Sequence, residues 1–181
     1  MAEMAGLLKH DGDRVDSIQA EKLLHQLQRG TGNGIVLLGE AALIHTRLKP
    51  VTMAERQPVQ NADGTMCATV LGQPQWGESH RHAQDPLVPR ELLEFYQARG
   101  PAAFRYLWGQ WAAAIWDAPR QRLVLARGWE GSPQIWMAER DDTFTYSTSA
   151  SVFDPKSQPP QELDTQETRL LRIRRATPVM A

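Results

Sequence analysis

The chain carries a single cysteine, Cys67, in 181 residues. One cysteine excludes an internal disulfide framework and a cysteine-built zinc site. No apolar run approaches the roughly 18 residues of a membrane-spanning helix, so no span is expected. The N-terminus lacks a basic stretch followed by an apolar one, which argues against secretion and for a cytoplasmic protein. Formal net charge is −1, which leaves no electrostatic case for nucleic acid or an anionic membrane. Neither a Gly-x-Ser-x-Gly elbow nor a Gly-Lys-Ser/Thr phosphate loop occurs. Gly30-x-Gly32-x-Gly34 reads as a turn-rich connector. Glu78-Ser79-His80-Arg81-His82 would place two histidines on one face of an extended segment, with Asp85 close by. No third ligand has diagnostic spacing, so a solvated loop is expected, with no metal and no cofactor.

What remains is an ordinary globular composition, 41% hydrophobic and 23% charged, of a length that fits one domain over residues 1–181. Met4, Leu7 and Leu8 predict a short buried strand. Asp16 or Ser17 caps a helix running to about Gln28, with Ile18, Leu23, Leu24 and Leu27 on its apolar face. Strands are predicted at 35–38 and 41–44, joined at Gly39-Glu40. Asn61-Ala62-Asp63-Gly64 is a tight-turn signal leading into a β-rich run to Leu71. Residues 72–89 read as a long loop. A helix over 89–98 carries Leu92, Leu93 and Tyr96, and Gly100-Pro101 breaks it before a second short helix. Strands at 110–117, 122–127, 134–138 and 143–147 form consecutive hairpins, hence antiparallel sheet. Residues 154–168 are polar and Pro-rich, and a last strand is expected within 169–179. Cys67, mid-strand, behaves as a small buried hydrophobe. Four of the six tryptophans, Trp108, Trp111, Trp116 and Trp129, cluster in the most apolar zone and are expected in a core between two sheets. Trp129, with Trp76 or Trp136, is the candidate for an exposed interface, because aromatic residues are enriched at such surfaces.

Read in order, the pieces resemble the class II glutamine amidotransferase domain of the asparagine synthetase family. Met1-Ala2-Glu3-Met4-Ala5-Gly6-Leu7 stands where that family has Met-Cys-Gly-Ile-Ala-Gly and an apolar residue. Arg29-Gly30-Thr31-Gly32 follows at the end of the first helix. His45-Thr46-Arg47-Leu48 matches a His-x-Arg-Leu segment, and Gln57-Pro58 and Asn61-Ala62-Asp63-Gly64 match the family's Gln-Pro and Asn-x-Asp-Gly. The hairpin Trp111-Ala112-Ala113-Ala114-Ile115-Trp116-Asp117 with Leu123-Val124-Leu125-Ala126-Arg127-Gly128 continues the match, and Gly131 falls on a family glycine. The resemblance is clearest over residues 1–150. It implies an α+β fold, a four-layer αββα sandwich of the N-terminal nucleophile (Ntn) hydrolase type. The family's ATP-using synthetase domain would follow this one, and the expectation here is a standalone domain.

The resemblance also implies a chemistry, and the residues depart from it. In the family a cysteine thiolate attacks the glutamine amide, with the same residue's α-amino group as base. Ala2 stands at that position, so no nucleophile is expected. Leu71-Gly72-Gln73 replaces the family's oxyanion-hole Asn-Gly-Glu, which keeps the glycine and loses the side-chain donor. Arg47 corresponds to the residue that grips the substrate carboxylate, although a structural ion pair is an equal reading. Asp85 lies near the family's substrate-anchoring Asp, at a different spacing. Arg47, Gly72 and Asp85 thus form a substrate-binding remnant. The first reading is an inactive accessory subunit that partners a separate ATP-dependent, asparagine-synthetase-like enzyme or forms a homodimer. The second is a genuine glutamine-hydrolysing subunit represented by a Cys-to-Ala variant. The third is a module that binds an amino acid, a glutamine-like ligand or another carboxylate.

Overall fold

A computed structural model describes residues 2–27, 34–47, 56–77, 88–154 and 159–173. In chain order the first half contains β1 (Glu3–Lys9), α1 (Ser17–Leu27), β2 (Gly34–Leu38), β3 (Ala41–Thr46), β4 (Val59–Gln60), β5 (Met66–Gly72), β6 (Gln75–Trp76) and α2 (Pro89–Arg99). After a 3-10 turn at Gly100–Tyr106 come β7 (Leu107–Trp108), β8 (Trp111–Asp117), β9 (Arg122–Arg127), β10 (Trp136–Arg140), β11 (Thr143–Ser147), β12 (Gln161–Glu162) and β13 (Thr168–Arg172). One sheet has the order β12-β10-β11-β1-β3-β2, a second β13-β9-β8-β5-β4, and a ribbon pairs β6 with β7.

Side-chain alternation along the strands builds the layers. From the first sheet, Met4, Leu8, Leu43, Phe144 and Tyr146 point into one core; from the second, Cys67, Leu71, Ala114, Trp116 and Leu125 meet them. The intervening residues face outward. Ala5, Leu7, Ala42 and Ile44 pack under α1 through Ala20, Leu23 and Leu27. Met66, Ala68, Ala113, Ile115 and Val124 pack under α2 through Leu92, Leu93 and Tyr96. The result is helix, sheet, sheet, helix: an α+β, four-layer αββα sandwich. Both large sheets are buried on two faces, which is why residues 41–44 of β3 and 111–116 of β8 read as apolar runs rather than alternating ones.

Local chemistry sets the connections. The Asp16 carboxylate accepts from Ile18 N and starts α1. Val88 stands before α2, with Pro89 opening the helix and the Glu91 carboxylate accepting from Val88 N at 3.0 Å. Gly64 sits at φ +68° in the Asn61–Thr65 turn, a conformation that favours glycine.

Several expectations need correction. Ile18 lies off the buried stripe of α1 and is 71% exposed; Ala20 takes its place on the face shared by Leu23 and Leu27. Trp111 is not between the two sheets but under α2, because it alternates with Trp116 along β8. Residues 72–89 are not all loop: β6 forms there by pairing with β7, a partner too short and distant for local patterning to reveal. Within 154–168, β12 pairs with β10 and Leu163 is fully buried. The turn between β10 and β11 is only Asp141-Asp142, both at positive φ, so Glu139 and Arg140 belong to the strand. The short helix expected after Gly100-Pro101 is present, as a 3-10 helix over Gly100–Tyr106. The connector at 29–33, and the loop holding the two histidines and Asp85, lie outside the described residues.

Candidate functional site

Among the described residues, Ala2, Arg47, Leu71 and Gly72 lie toward one corner of the sandwich, while Asp85 lies outside the described residues. β1 begins beside the end of β3, with Glu3 opposite Thr46 and Met4 opposite His45. His45 is also opposite Gly34 on β2. A Cβ on Gly34 would stand 1.9 Å from the Gln57 carbonyl oxygen, so this glycine admits the Gln57 backbone against the sheet. The Gln57 side chain then reaches the second sheet. Its Nε2 donates to Val70 O at 3.1 Å and its Oε1 accepts from Val70 N at 2.6 Å. This amide acts as a surrogate strand beyond the end of β4, and it ties the His45 end of one sheet to the Val70-Leu71-Gly72 end of the other. Ala2, Arg47, Leu71 and Gly72 therefore belong to the same end of the molecule.

Ala2 is half-buried and packs on the core between the sheets. Leu71 is buried in that same core. Gly72 is exposed at φ +82°, and a Cβ there would stand 2.1 Å from the Gln110 carbonyl oxygen, so only glycine fits. Its neighbour Gln73 N donates to that carbonyl at 3.1 Å. Arg47 is half-buried just past β3. Thr148 brings a hydroxyl to this end, but Oγ1 is bound to the backbone of Met4, accepting from its N at 3.0 Å and facing its carbonyl at 3.3 Å.

His45 is the titratable group that this corner perturbs most. It is 2% exposed, and its Nε2 has no partner among the described residues. Burial, and then the nearby Arg47 charge, hold its pKa down to about 4, so the ring is neutral at physiological pH. Cys67 lies on the inter-sheet face of β5, fully buried, and burial pushes its thiol up to about 12. It is a small core residue here, not an accessible thiolate.

The three candidate interface tryptophans stand on separate elements. Trp76, half-buried in β6, meets Phe95 edge-to-face at 5.7 Å. Trp129, 42% exposed after β9, stacks on Trp108 at 5.3 Å and 11°. Trp136, half-buried, lies in β10 opposite Ser147 and Glu162. Among the described residues no group of three His, Cys, Asp or Glu could hold a metal ion, and no helix is long and apolar enough to cross a membrane. Sequence reasoning used Gln57 only as part of a motif. Its role as a strap between sheets was missed, and the only local signal was a Gln-Pro pair after a strand.

Two stacked antiparallel sheets with a helix outside each define the architecture of the Ntn hydrolases. A family model described as a glutamine amidotransferase domain (GATase_7) matches residues 45–155. The chain belongs to that family. No curated protein matches it. Among solved structures, glutamine phosphoribosylpyrophosphate amidotransferase from B. subtilis, complexed with ADP and GMP, superposes with a TM-score of 0.64 at 14% identity, over 94% of this chain and 49% of that one. A second structure, described as the allosteric regulatory enzyme of purine biosynthesis, gives 0.66 at 12% identity with the same coverage of 94% and 49%. The chain thus spans about half the length of each. At these identities the likeness is one of fold.

Proposed function

We propose that this glutamine amidotransferase-like domain is catalytically silent and works in the cytoplasm as an accessory subunit of a separate ATP-dependent, asparagine-synthetase-like amide-forming enzyme. The observation that carries the reading is the pairing of two hydrocarbon side chains, Ala2 and Leu71, at a corner whose framework is otherwise kept. Acyl transfer from glutamine needs a nucleophile that a base can activate. A methyl group supplies none, and the Thr148 hydroxyl is committed to Met4. Stabilising the oxyanion needs donors aimed at the developing charge. Loss of one such donor costs about 10²–10³ in rate, and Leu71 offers no donor. Arg47 and Gly72 remain, which leaves a pocket remnant able to hold a glutamine-like carboxylate without reacting with it.

The test joins two measurements. Purified protein is assayed for glutamate release from glutamine, beside Ala2→Cys and the double variant Ala2→Cys, Leu71→Asn with Met1 removed. A tagged chain is then recovered from its native cytoplasm. The reading expects no turnover by the unaltered protein and stoichiometric recovery of an adenylating synthetase. Glutamate release by the unaltered protein would overturn silence. Recovery of the chain alone would overturn the accessory role and shift weight to the carboxylate-binding module, which a thermal-shift screen with glutamine and glutamate then reads.

A further inference from the structure

The edge of a sheet presents unpaired N–H and C=O groups, and proteins blunt such edges with short strands, charge or proline. Among the described residues the two large sheets end on β12, β2, β13 and β4. β12 and β4 are two residues long, and β13 carries Arg169 and Arg172. β2, Gly34-Ile35-Val36-Leu37-Leu38, has five residues and none of these devices. It holds no charge and no proline, and its pairing with β3 runs without a bulge from Gly34 opposite His45 to Leu38 opposite Ala41. β3, paired on both sides, is buried throughout, whereas every residue of β2 keeps some exposure and Leu37 is 40% exposed.

The turn after β2 fixes which backbone groups face outward. Gly39-Glu40 is a two-residue loop with Gly39 at φ +61°, and such a hairpin closes on a hydrogen-bonded pair, here Leu38 with Ala41. Bonded and non-bonded pairs alternate from there. Val36 and Gly34 therefore turn their N–H and C=O toward β3, and Ile35 and Leu37 turn theirs away from the sheet. No other described backbone group takes them. The side chains alternate as well. Val36 and Leu38 pack on the layer between the sheets, and Ile35 packs with Leu24 on the cluster under α1. Leu37 shares the face of Ile35.

We propose that β2 is the surface through which two copies of this chain associate, antiparallel about a two-fold axis at Val36. The occupant is a second copy because the strand is complementary to itself. In a two-fold contact the same patch meets on both sides, so a charged strand would set like charges together, and β2 has none to oppose. Centring on Val36 places Ile35 opposite Leu37 of the other copy. The outward N–H and C=O of each then bond one another, and the two Val36 residues form the non-bonded pair between them. Ile35 also covers the exposed Leu37 side chain as its cross-strand neighbour. Contact through one such strand stays below the roughly 1,200 Å2 of a standard interface, so the dimer is weak, half-formed at about 100 µM. This inference goes beyond the accessory role and uses none of the chemistry of the Ala2 corner.

Sedimentation velocity of the intact chain, from about 1 µM to about 500 µM, reads the association, and the sedimentation coefficient is expected to rise across that range. Leu37→Pro removes an outward N–H at an edge position, where proline is tolerated, and Leu37→Lys charges the edge. Each is expected to weaken the dimer at least about tenfold. Val36→Cys tests the register. Non-bonded antiparallel partners stand about 4.5 Å apart at Cα, within reach of a disulfide, so mild oxidation is expected to give a covalent dimer of Val36→Cys and none of Leu38→Cys. The native Cys67 is fully buried and does not compete. A chain that stays monomeric throughout would overturn the proposal and leave the edge to a strand from another protein. Undiminished association of Leu37→Lys, or failure of Val36→Cys to cross-link, would place the contact on another surface and overturn it too. Leu37 is 40% exposed, so the lysine variant tests the proposal even where Leu37→Pro does not fold.

Discussion

At the scale of single residues, His45 shows how one buried ring makes the whole fold sensitive to pH. In the folded chain its pKa lies near 4 rather than the ordinary 6.5, because burial and the Arg47 charge oppose protonation. The unfolded chain takes up that proton first as pH falls, so the contribution is intact above pH 6.5 and erodes as pH drops toward 4. The shift corresponds to about 3 kcal/mol over that window. Denaturant midpoints measured between pH 7 and 4 are expected to fall for the native chain and to fall less steeply for His45→Gln. Identical slopes would show that His45 is not the group responsible. The residue was visible in the sequence as part of His45-Thr46-Arg47-Leu48, but its burial was not. A histidine in a strand reads the same whether its face meets solvent or a second sheet.

Elements are joined by two polar devices. Asp117, fully buried at the end of β8, accepts from Tyr96 Oη of α2 at 2.9 Å and pairs with Arg122 and Arg120, each at 3.2 Å. Arg122 Nε also reaches Tyr96 Oη at 2.9 Å, closing a triangle between helix and hairpin. Burial, and then the Asp117 charge, push the Tyr96 hydroxyl well above the usual tyrosine range. Removing the buried carboxylate strands the nearly buried Arg122 guanidinium, whereas Arg120 is exposed, so Asp117→Asn is expected to cost about 3 kcal/mol. Tyr96→Phe should cost about 1 kcal/mol. Urea denaturation of both variants and their double mutant checks the order and the coupling. The second device is Gln57. Gln57→Leu removes the partner of both Val70 backbone groups and is expected to cost about 2 kcal/mol or more, with faster amide exchange at Val70. Unchanged exchange there would deny the strap. The elements themselves were mostly legible, because α1, α2 and the hairpins carry strong periodicity and turn signals. The pairing of β6 with β7 and of β12 with β10 was not, since two-residue strands owe their existence to a distant neighbour.

At the scale of the molecule, the two sheets are held face to face by one apolar layer in which Trp116 is fully buried. Trp116→Ala is expected to cost about 4 kcal/mol, within the range for large-to-small core substitution. Fluorescence and far-UV circular dichroism should then report the same lowered midpoint, because both sheets share that layer. Separate transitions would mean that the sheets unfold independently. Gly6 marks how closely the parts approach: a Cβ there would stand 2.4 Å from both the Ala42 carbonyl oxygen and the Tyr146 ring.

The sequence by itself determined the antiparallel hairpins, the two helices and the apolar residues on their inner faces, because periods of 2 and 3.6 and glycine turns are local properties. Through an ordered series of short motifs it also carried the likeness to a glutamine amidotransferase domain of Ntn type, the part of the resemblance that the family match and the fold bore out. Only the tertiary structure decided which face of β8 each tryptophan occupies, since alternation names two faces without saying what covers them. It alone put Ala2, His45, Arg47 and Leu71-Gly72 at one corner through Gln57. These meetings join residues tens of positions apart, and close packing of two sheets sets them rather than any signal within a strand.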